Sequence, residues 1–293
     1  MKSKIRYTFK QFNEQFPDDA ACLQYLFDQR FPNEGACVCG KTGCFHRVKK
    51  RKKFACAWCG RQVAPTSGTI FHKSSTPLRT WFHAMFIMMA SRNGVSAMEL
   101  MRQVGVTYKT AWRMNHQIRQ LMTSERTEKL EGVIEADETY VGGKRHGKRG
   151  RGAGGKIIIA GLIERGGKVD ATIVPDCTAK TLVSNIRRKV LLGSQIYTDE
   201  FWSYGKLRAY GFKHETVNHG TREYARGDVH TNSVESFWAQ FKRSVHGTFH
   251  HVSPKHCQKY LNEFCYRNNH RRNSEPMFSQ LASISGEQRD SIT

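Results

Sequence analysis

Long apolar runs are absent from this sequence. One of the longest, Ile157 to Ile163, has the length of a strand, whereas a membrane-spanning helix needs about 18 apolar residues. The opening residues, MKSKIRYTFKQFNEQF, lack the apolar core of a signal peptide. We therefore expect a cytoplasmic protein with no membrane partner, in which the nine cysteines are reduced or bound to metal rather than paired in disulfides.

Acidic residues are also scarce. The chain has 25 Asp and Glu against 47 Lys and Arg, which gives a net charge of +22 and a pI near 9.8. An excess of this size indicates a polyanionic partner, and nucleic acid is the commonest one. A membrane surface is the competing polyanion, but no segment is long enough to span a bilayer. At 293 residues the chain is long enough for two or three domains.

The cysteine spacing predicts a zinc ribbon over residues 35–66. Cys56 to Gly60 reads C-x-x-C-G and Cys37 to Gly40 reads C-x-C-G, with a basic hairpin between them. Paired knuckles of this kind bind Zn²⁺, and a cluster this dense is not typical of free buried cysteines in a cytoplasmic protein. The first knuckle is one residue shorter than usual, which leaves a substitute ligand open. The expected ligands are Cys37, Cys39, Cys56 and Cys59, with Cys44 as the alternative.

Helical patterns precede and follow the ribbon. Residues 1–34 are predicted to be a helical segment, with Leu23 and Phe27 on one face. Residues 67–122 are predicted to form an all-α helix-turn-helix domain, in which Gly105 makes the turn. A plain helical hairpin gives a similar pattern, and the net charge favours the DNA-binding interpretation. The candidate DNA-binding residues of the second helix are Lys109, Arg113 and Arg119.

A very basic loop, residues 144–156, lies further along the chain, beyond a linker over residues 123–131. It reads KRHGKRGRGAGGK, and glycine together with repelling charges disfavours internal packing. The loop is either a solvated tether or a contact surface for a phosphodiester backbone. Its candidate DNA-binding residues are Lys144, Arg145, Lys148, Arg149 and Arg151.

Between the linker and this loop, residues 132–143 carry carboxylates among apolar residues, as a short strand. Side chains alternate along a strand, so Glu135, Asp137 and Thr139 share one face. A carboxylate in a partly apolar strand is costly unless it is compensated, and a divalent cation is the usual compensator. An edge strand with solvated acids is the alternative, and the rest of the chain favours the metal site.

The order of the following elements predicts an α/β core, a mixed sheet flanked by helices. Three antiparallel strands, a helix and a further strand are the order of the RNase H-like fold, in which the first and fourth strands are neighbours. Asp137 and Asp199 are then expected to meet across these strands, where two carboxylates can share divalent metal ions. The predicted elements after the basic loop are strands over 157–164 and 169–174, a helix over about 179–192 and a strand over 195–200.

A third acid lies in a predicted helix over residues 227–243. Its apolar residues recur at helical spacing and would anchor it to the sheet, which leaves Glu235 to project toward the two aspartates. An ordinary amphipathic helix with a solvated glutamate is the alternative for this acid alone. Asn232 shares the face of Glu235, three positions before it, and is a candidate cap of the helix.

These motifs resemble the DDE-type transposases of bacterial insertion sequences, in the ISXO-like branch that has an N-terminal zinc ribbon followed by a helix-turn-helix. The resemblance rests on Asp137 in ADETYVGG, Asp199 in YTDEFWSY and Glu235 in HTNSVESFWAQFKR. The segment GTIFHKSSTPLRTW and the ribbon occur in the same order as in that family. The similarity covers roughly residues 17–272.

The resemblance implies an RNase H-like catalytic domain, which we place over residues 132–275, and residues 276–293 are predicted to be a tail. It also implies cleavage of transposon ends and strand transfer into target DNA, dependent on Mg²⁺ or Mn²⁺ held by Asp137, Asp199 and Glu235. Lys242 is expected to assist, and Asn232 competes with Glu235 for the third catalytic position because some members of the family have asparagine there. The expected partners are double-stranded DNA, as terminal inverted repeats and target, and further copies of the chain in a homodimer or higher oligomer at the nucleoid. The competing functions are an inactive DNA-binding regulator and a nuclease of the same fold that does not join ends.

Overall fold

The computed structural model describes residues 7–123, 129–142, 156–218, 225–273 and 275–286, without the side chains of residues 33 and 34. The chain divides into two compact units. One consists of Met1–Leu121 with Arg272–Thr293, and the other consists of Met122–Arg271. In the ranges described, no helix has both the length and the apolar character needed to cross a bilayer.

The N-terminal unit begins with three helices, and the first two are capped by side chains. Thr8 accepts a hydrogen bond of 3.3 Å from the backbone N–H of Gln11, and Asp18 accepts one of 2.8 Å from that of Ala21. Such caps satisfy backbone donors that the first turn of a helix leaves without partners. The three helices are α1 (Phe9–Gln15), α2 (Asp19–Arg30) and α3 (Pro32–Gly35).

The ribbon is a small antiparallel sheet in the order β1-β2-β3, with Phe45 paired to Cys56 at one end of its hairpin. Three helices follow, and the last two are joined through Gly105, whose φ of 69° is in the left-handed region that glycine adopts at least cost. Ser96 and Thr107 cap these two helices, because their hydroxyl oxygens accept hydrogen bonds from the backbone N–H groups of Glu99 and Thr110. The elements are β1 (Phe45–Arg47), β2 (Phe54–Cys56), β3 (Gln62–Val63), α4 (Leu78–Ala90), α5 (Ala97–Val104) and α6 (Tyr108–Leu121).

The second unit is built on a five-stranded sheet in the order β6-β5-β4-β7-β8. The first three strands along the chain are antiparallel neighbours, whereas β7 is parallel to β4 and β8 is parallel to β7. This is the strand order of the RNase H-like fold and confirms the predicted core. The strands are β4 (Val133–Val141), β5 (Ile157–Glu164), β6 (Val169–Val174), β7 (Gln195–Asp199) and β8 (Lys213–Val217).

Helices cover both faces of this sheet. On one face, Ile134 and Ala136 of β4 pack with residues of α7 (Ala179–Lys189). On the other face, a second apolar cluster joins the sheet to α8 (Asn232–Ser244) and α9 (Pro254–His270). Glu135 and Asp137 therefore face α8, because side chains alternate along β4.

The prediction of a tail after Pro276 is wrong for Met277–Ser285, which form helix α10. Phe278, Leu281 and Ala282 are buried at the i, i+3 and i+4 spacing of one helix face. The ring of Phe278 stacks on Tyr7 at 4.8 Å and meets Phe12 edge-on at 5.7 Å. This last helix therefore belongs to the core of the N-terminal unit.

Candidate active site

Asp137 and Asp199 occupy equivalent positions on two neighbouring strands. The parallel pairing of β4 with β7 runs from Val133 opposite Gln195 to Glu135 opposite Tyr197. Asp137 and Asp199 each lie two residues beyond the last of these pairs, on the sheet face that α8 covers. The strand order thus brings together the first two acids that the sequence analysis singles out, and their carboxylates interact electrostatically.

The carboxyl group of Asp137 is in an environment that disfavours its negative charge. Burial, together with the neighbouring carboxylates of Glu138 and Asp199, raises its pKa from 3.8 to about 7. Nε1 of Trp238 donates a hydrogen bond of 3.0 Å to Oδ2, which acts in the opposite direction. An acid that is costly to ionise beside a second acid is the setting in which a bound cation contributes most.

Helix α8 carries the other candidate residues. Glu235 is exposed in its first turn, and its Oε1 accepts a hydrogen bond of 3.0 Å from the hydroxyl of Thr231. Asn232 is exposed at the first helical position and is not the cap, which is Thr231. Lys242 is partly exposed two turns beyond Glu235. The predicted capping role of Asn232 is therefore wrong.

The carboxylate oxygens of Asp137, Asp199 and Glu235 do not all lie within 4.8 Å of one another. Over the part of the chain that the structure describes, only four cysteines form a group of three or more His, Cys, Asp or Glu with ligand atoms within 4.8 Å of one another. The donor chemistry of Asp137, Asp199 and Glu235 nevertheless fits Mg²⁺ or Mn²⁺, which prefer carboxylate oxygens and retain several waters.

Trp238 and Gly161 are parts of this site that the sequence analysis does not identify. Gly161 lies opposite Asp137 in the β4–β5 pairing, and a Cβ added there would overlap the indole ring of Trp238. The glycine thus lets the indole lie flat enough on the sheet to reach Asp137. A glycine inside the apolar strand IIIAGLIE is the available signal, because it often marks the close approach of another group.

The predicted zinc ligands lie together in the ribbon. Sulfur atoms of Cys37 and Cys59 are 3.5 Å apart, and those of Cys39 and Cys56 are 3.8 Å apart. Tetrahedral thiolates at a Zn–S distance of about 2.3 Å have sulfurs separated by about 3.8 Å. A backbone hydrogen bond from Cys59 lowers the pKa of Cys56 to about 6, which favours the thiolate that binds metal.

The alternative ligand, Cys44, is a neighbour of this group and not a member of it. Its sulfur lies 3.3 Å from that of Cys56 and 3.5 Å from the carbonyl oxygen of Lys41. Burial raises the pKa of its thiol to about 11, which disfavours the thiolate form that binds metal. The arrangement supports the group of four as the zinc ligands.

The candidate DNA-binding residues of α6 separate into exposed and buried ones. Lys109 and Arg113 are exposed on the first half of the helix. Arg119 is only 1 % exposed, and its guanidinium lies 3.5 Å from the carbonyl oxygen of Val95. Its predicted role in DNA contact is therefore wrong, because a phosphate cannot reach a buried side chain. The residues of the basic loop, Lys144, Arg145, Lys148, Arg149 and Arg151, lie outside the described residues.

Comparison with known proteins identifies the family. The transposase zinc-ribbon domain matches residues 17–62, and the ISXO2-like transposase domain matches residues 129–269. The chain is 31 % identical over 237 residues to the "Uncharacterized protein in transposable element ISH50" of Halobacterium salinarum, covering 74 % of this chain and 78 % of that one. It is 35 % identical over 102 residues to an "Uncharacterized transposase-like protein" of Haemophilus influenzae, covering 35 % of this chain and 81 % of that one. The chain belongs to the family of ISXO2-like transposases.

Two solved structures show a weak similarity to this chain. The Mos1 strand transfer complex matches with a TM-score of 0.30 and 10 % identity, over 70 % of this chain and 74 % of that one. The catalytic core domain of BIV integrase matches with a TM-score of 0.24 and 15 % identity, over 55 % of this chain and 88 % of that one. At these scores the similarity carries no argument, and the fold rests on the strand order.

Proposed function

We propose that this chain is a DNA transposase that acts on the ends of its own insertion sequence at the nucleoid. It binds the terminal inverted repeats, cuts the DNA there and joins the freed 3′ end to target DNA. The observation that carries the proposal is the electrostatic contact of Asp137 with Asp199 on neighbouring strands, together with the hydrogen bond that joins α8, the helix of Glu235, to Asp137 through Trp238. Membership of the transposase family supports the same reaction.

The residues that would hold divalent metal are Asp137, Asp199 and Glu235. Bound Mg²⁺ or Mn²⁺ supplies activation of the attacking oxygen and stabilisation of the leaving oxyanion in phosphoryl transfer. The chain's own contribution is to hold the acids in place: the sheet fixes the two aspartates, and the hydrogen bond from Trp238 orients Asp137. Lys242, partly exposed on the same helix, supplies a positive charge for the phosphodiester.

We assign the third catalytic position to Glu235 and not to Asn232. Two dications about 4 Å apart repel each other strongly, and an anionic ligand offsets this repulsion better than a neutral amide. The hydrogen bond from Thr231 also restrains the carboxylate of Glu235. Asn232 stands one turn earlier on α8. Its competing role is that of a metal ligand or of a contact with DNA.

Binding of DNA is assigned to exposed cations. Lys109 and Arg113 lie at the start of α6, the part of a recognition helix that contacts base edges in the major groove. The basic loop adds contacts with little sequence preference to flanking or target DNA.

Bringing two ends together requires two copies of the site, so the active form is a homodimer or higher oligomer. The group of four cysteines holds Zn²⁺ and stabilises the ribbon.

A single assay separates this function from its two competitors. A labelled transposon end, an end already cut to expose its 3′-hydroxyl and a target plasmid are incubated with the full chain and Mg²⁺. A transposase cuts the first and joins the second, a nuclease of the same fold cuts without joining, and an inactive regulator only binds. Glu235→Gln is expected to lose both reactions by at least about a hundredfold and still bind the end, whereas Asn232→Ala retains them. Near-normal cleavage by Glu235→Gln beside an inactive Asn232→Ala would assign the third position to Asn232.

A further inference from the structure

Glu135 is a buried carboxylate two residues before Asp137, and the reaction described above does not use it. Its side chain is 0 % exposed. Oε1 accepts hydrogen bonds of 2.9 Å from Nε of Arg165 and 3.0 Å from the hydroxyl of Ser233. Oε2 accepts bonds of 2.8 Å and 3.2 Å from the backbone N–H groups of Ser233 and Val234. A buried charge is tolerated when it has partners of this number and kind.

Two of these partners are the backbone donors at the start of α8. The residue at the cap position, Thr231, makes no side-chain capping bond and donates its hydroxyl to Glu235 instead. The carboxylate of Glu135 takes over the capping role from a distant strand of the sheet. A negative charge there is also favoured by the helix dipole.

The same helix is attached to β4 at a second point, one turn further along. Glu135 and Asp137 are on one face of the strand, and Asp137 accepts the hydrogen bond from Trp238. Glu235 lies between the two attachments in sequence, since Val234 precedes it directly. The helix therefore cannot slide or rotate on the strand without breaking one of these contacts.

Arg165 extends the attachment to the segment that precedes the helix. Besides its bond to Glu135, its guanidinium donates to the carbonyl oxygens of Asp228, at 2.5 Å, and His230, at 3.1 Å. The ring of Tyr197 lies under the guanidinium at 4.8 Å. The ion pair thus holds the entry to α8 as well as its first turn.

We propose that Glu135 is a positioning residue of the active site, one that acts through Glu235. By capping α8 from β4 it sets the distance between Glu235 and Asp137, and with it the affinity for the divalent metal. This inference rests on the proposed function for its consequence in catalysis, but its effect on metal affinity is measurable without any reaction.

The test measures binding of Mn²⁺ to the full-length, zinc-loaded chain by isothermal titration calorimetry. The binding heat that the wild type shows and Asp137→Asn lacks is assigned to Mn²⁺ at the active site. Glu135→Gln is expected to raise the dissociation constant about tenfold, the usual scale for a residue that supports a metal ligand. Ser233→Ala removes one hydrogen bond to Glu135 and keeps the bonds from the two backbone N–H groups. It is expected to raise the dissociation constant about two- to threefold. Ser233→Ala decides the matter alone if Glu135→Gln does not fold.

Glu263→Gln is the matched control. Glu263 is also 0 % exposed and is paired with Arg267 at 2.6 Å, within α9. Its loss is expected to reduce stability and leave Mn²⁺ affinity unchanged. An equal loss of affinity in this control would overturn the proposal, because the effect would then be general destabilisation.

A double-mutant cycle tests whether Glu135 acts through Glu235. If it does, adding Glu135→Gln to Glu235→Gln weakens Mn²⁺ binding no further. Wild-type affinity in Glu135→Gln, or independent losses that multiply in the double variant, would overturn the proposal. A wild-type chain that binds Mn²⁺ but neither cuts nor joins DNA would refute the proposed function, and the binding data would still decide the role of Glu135.

Discussion

Nε1 of Trp238 lies 3.0 Å from Oδ2 of Asp137 and donates a hydrogen bond to it. The contact joins the helix that carries Glu235 to the strand that carries the first aspartate. It depends on Gly161, which stands opposite Asp137 and leaves room for the indole. A glycine in the neighbouring strand is thus part of the geometry of the acids.

Replacing Gly161 with alanine is expected to displace the indole and break its bond to Asp137. Overpacking of this kind costs about 1–3 kcal/mol of unfolding free energy. We expect cleavage to fall more than this loss of stability explains, because α8 moves relative to Asp137. Urea unfolding and end cleavage measure the two effects. Gly247→Ala is the control, since its Cβ meets nothing within 4 Å; wild-type cleavage in Gly161→Ala would contradict the role of the indole contact.

The stability of the metal-free protein is expected to decrease as pH rises toward 7. The pKa of Asp137 is about 7 in the folded state and has its ordinary value of 3.8 in the unfolded chain. Between these values the folded state binds more protons, so ionisation of Asp137 opposes folding, and the loss is complete above pH 7. Melting temperatures from pH 5 to 8, compared with those of Asp137→Asn, isolate this contribution.

Divalent metal should remove that loss. At pH 8, adding Mg²⁺ is expected to raise the melting temperature of the wild type and not that of Asp137→Asn, because bound metal stabilises the ionised carboxylate. At pH 5.5 the gain should be smaller, since protons compete for the same oxygen atoms. An equal shift at both pH values would show that the metal binds elsewhere.

One zinc per chain is expected in the purified protein. Cys39→Ser should lose it and unfold the ribbon, because the free energy of binding is part of the folding free energy of such domains. Cys44→Ser should keep it, since this sulfur lies outside the group of four. Elemental analysis by mass spectrometry counts the metal, and loss of zinc in Cys44→Ser would make Cys44 a ligand.

Lys109→Ala and Arg113→Ala are expected to weaken binding to transposon-end DNA. Loss of a cation that contacts a phosphate should reduce the slope of log affinity against log salt concentration by about 1, whereas loss of one that contacts a base edge should lower the affinity and leave the slope unchanged. Lys10→Ala removes an exposed charge from α1 and serves as the control. Filter binding at several salt concentrations gives the slopes; unchanged binding in both α6 variants would make this helix pair structural.

Phe278→Ala is expected to destabilise the N-terminal unit by about 3–5 kcal/mol, the usual cost of removing a buried aromatic ring. The ring is buried against Tyr7 and Phe12, far away in sequence. Ser279→Ala, one position along α10, should change stability by less than about 0.5 kcal/mol. Denaturant unfolding compares the two, and a small effect of Phe278→Ala would mean that α10 is a loosely attached helix.

The sequence predicts those parts of the fold that local patterns determine. Strands β5 and β6 have the predicted ends because a glycine hairpin separates two apolar runs. The meeting of Asp137 with Asp199 follows from the order of elements alone. Strand β8, KHETV, is not predicted, since an edge strand with two charges and a histidine shows no clear alternation.

Contacts between distant residues explain what the sequence does not reveal. Glu135 resembles any strand acid until Ser233, nearly a hundred positions later, is placed beside it. Trp238 reads as one residue of an apolar stripe, although its N–H contacts the site. In the sequence, Arg119 looks like the exposed cations of α6, because the position of an arginine in a helix does not by itself show that its side chain is buried.

Helix α10 has a consequence for the timing of folding during synthesis. Domains usually fold in order from the N-terminus as the ribosome releases them. Here the aromatic cluster around Phe12 and Phe16 cannot close until Phe278 has been made, after the whole of the second unit. An mRNA cut short before this helix would yield a chain whose N-terminal unit leaves its aromatic cluster uncovered, and proteases would remove such a chain.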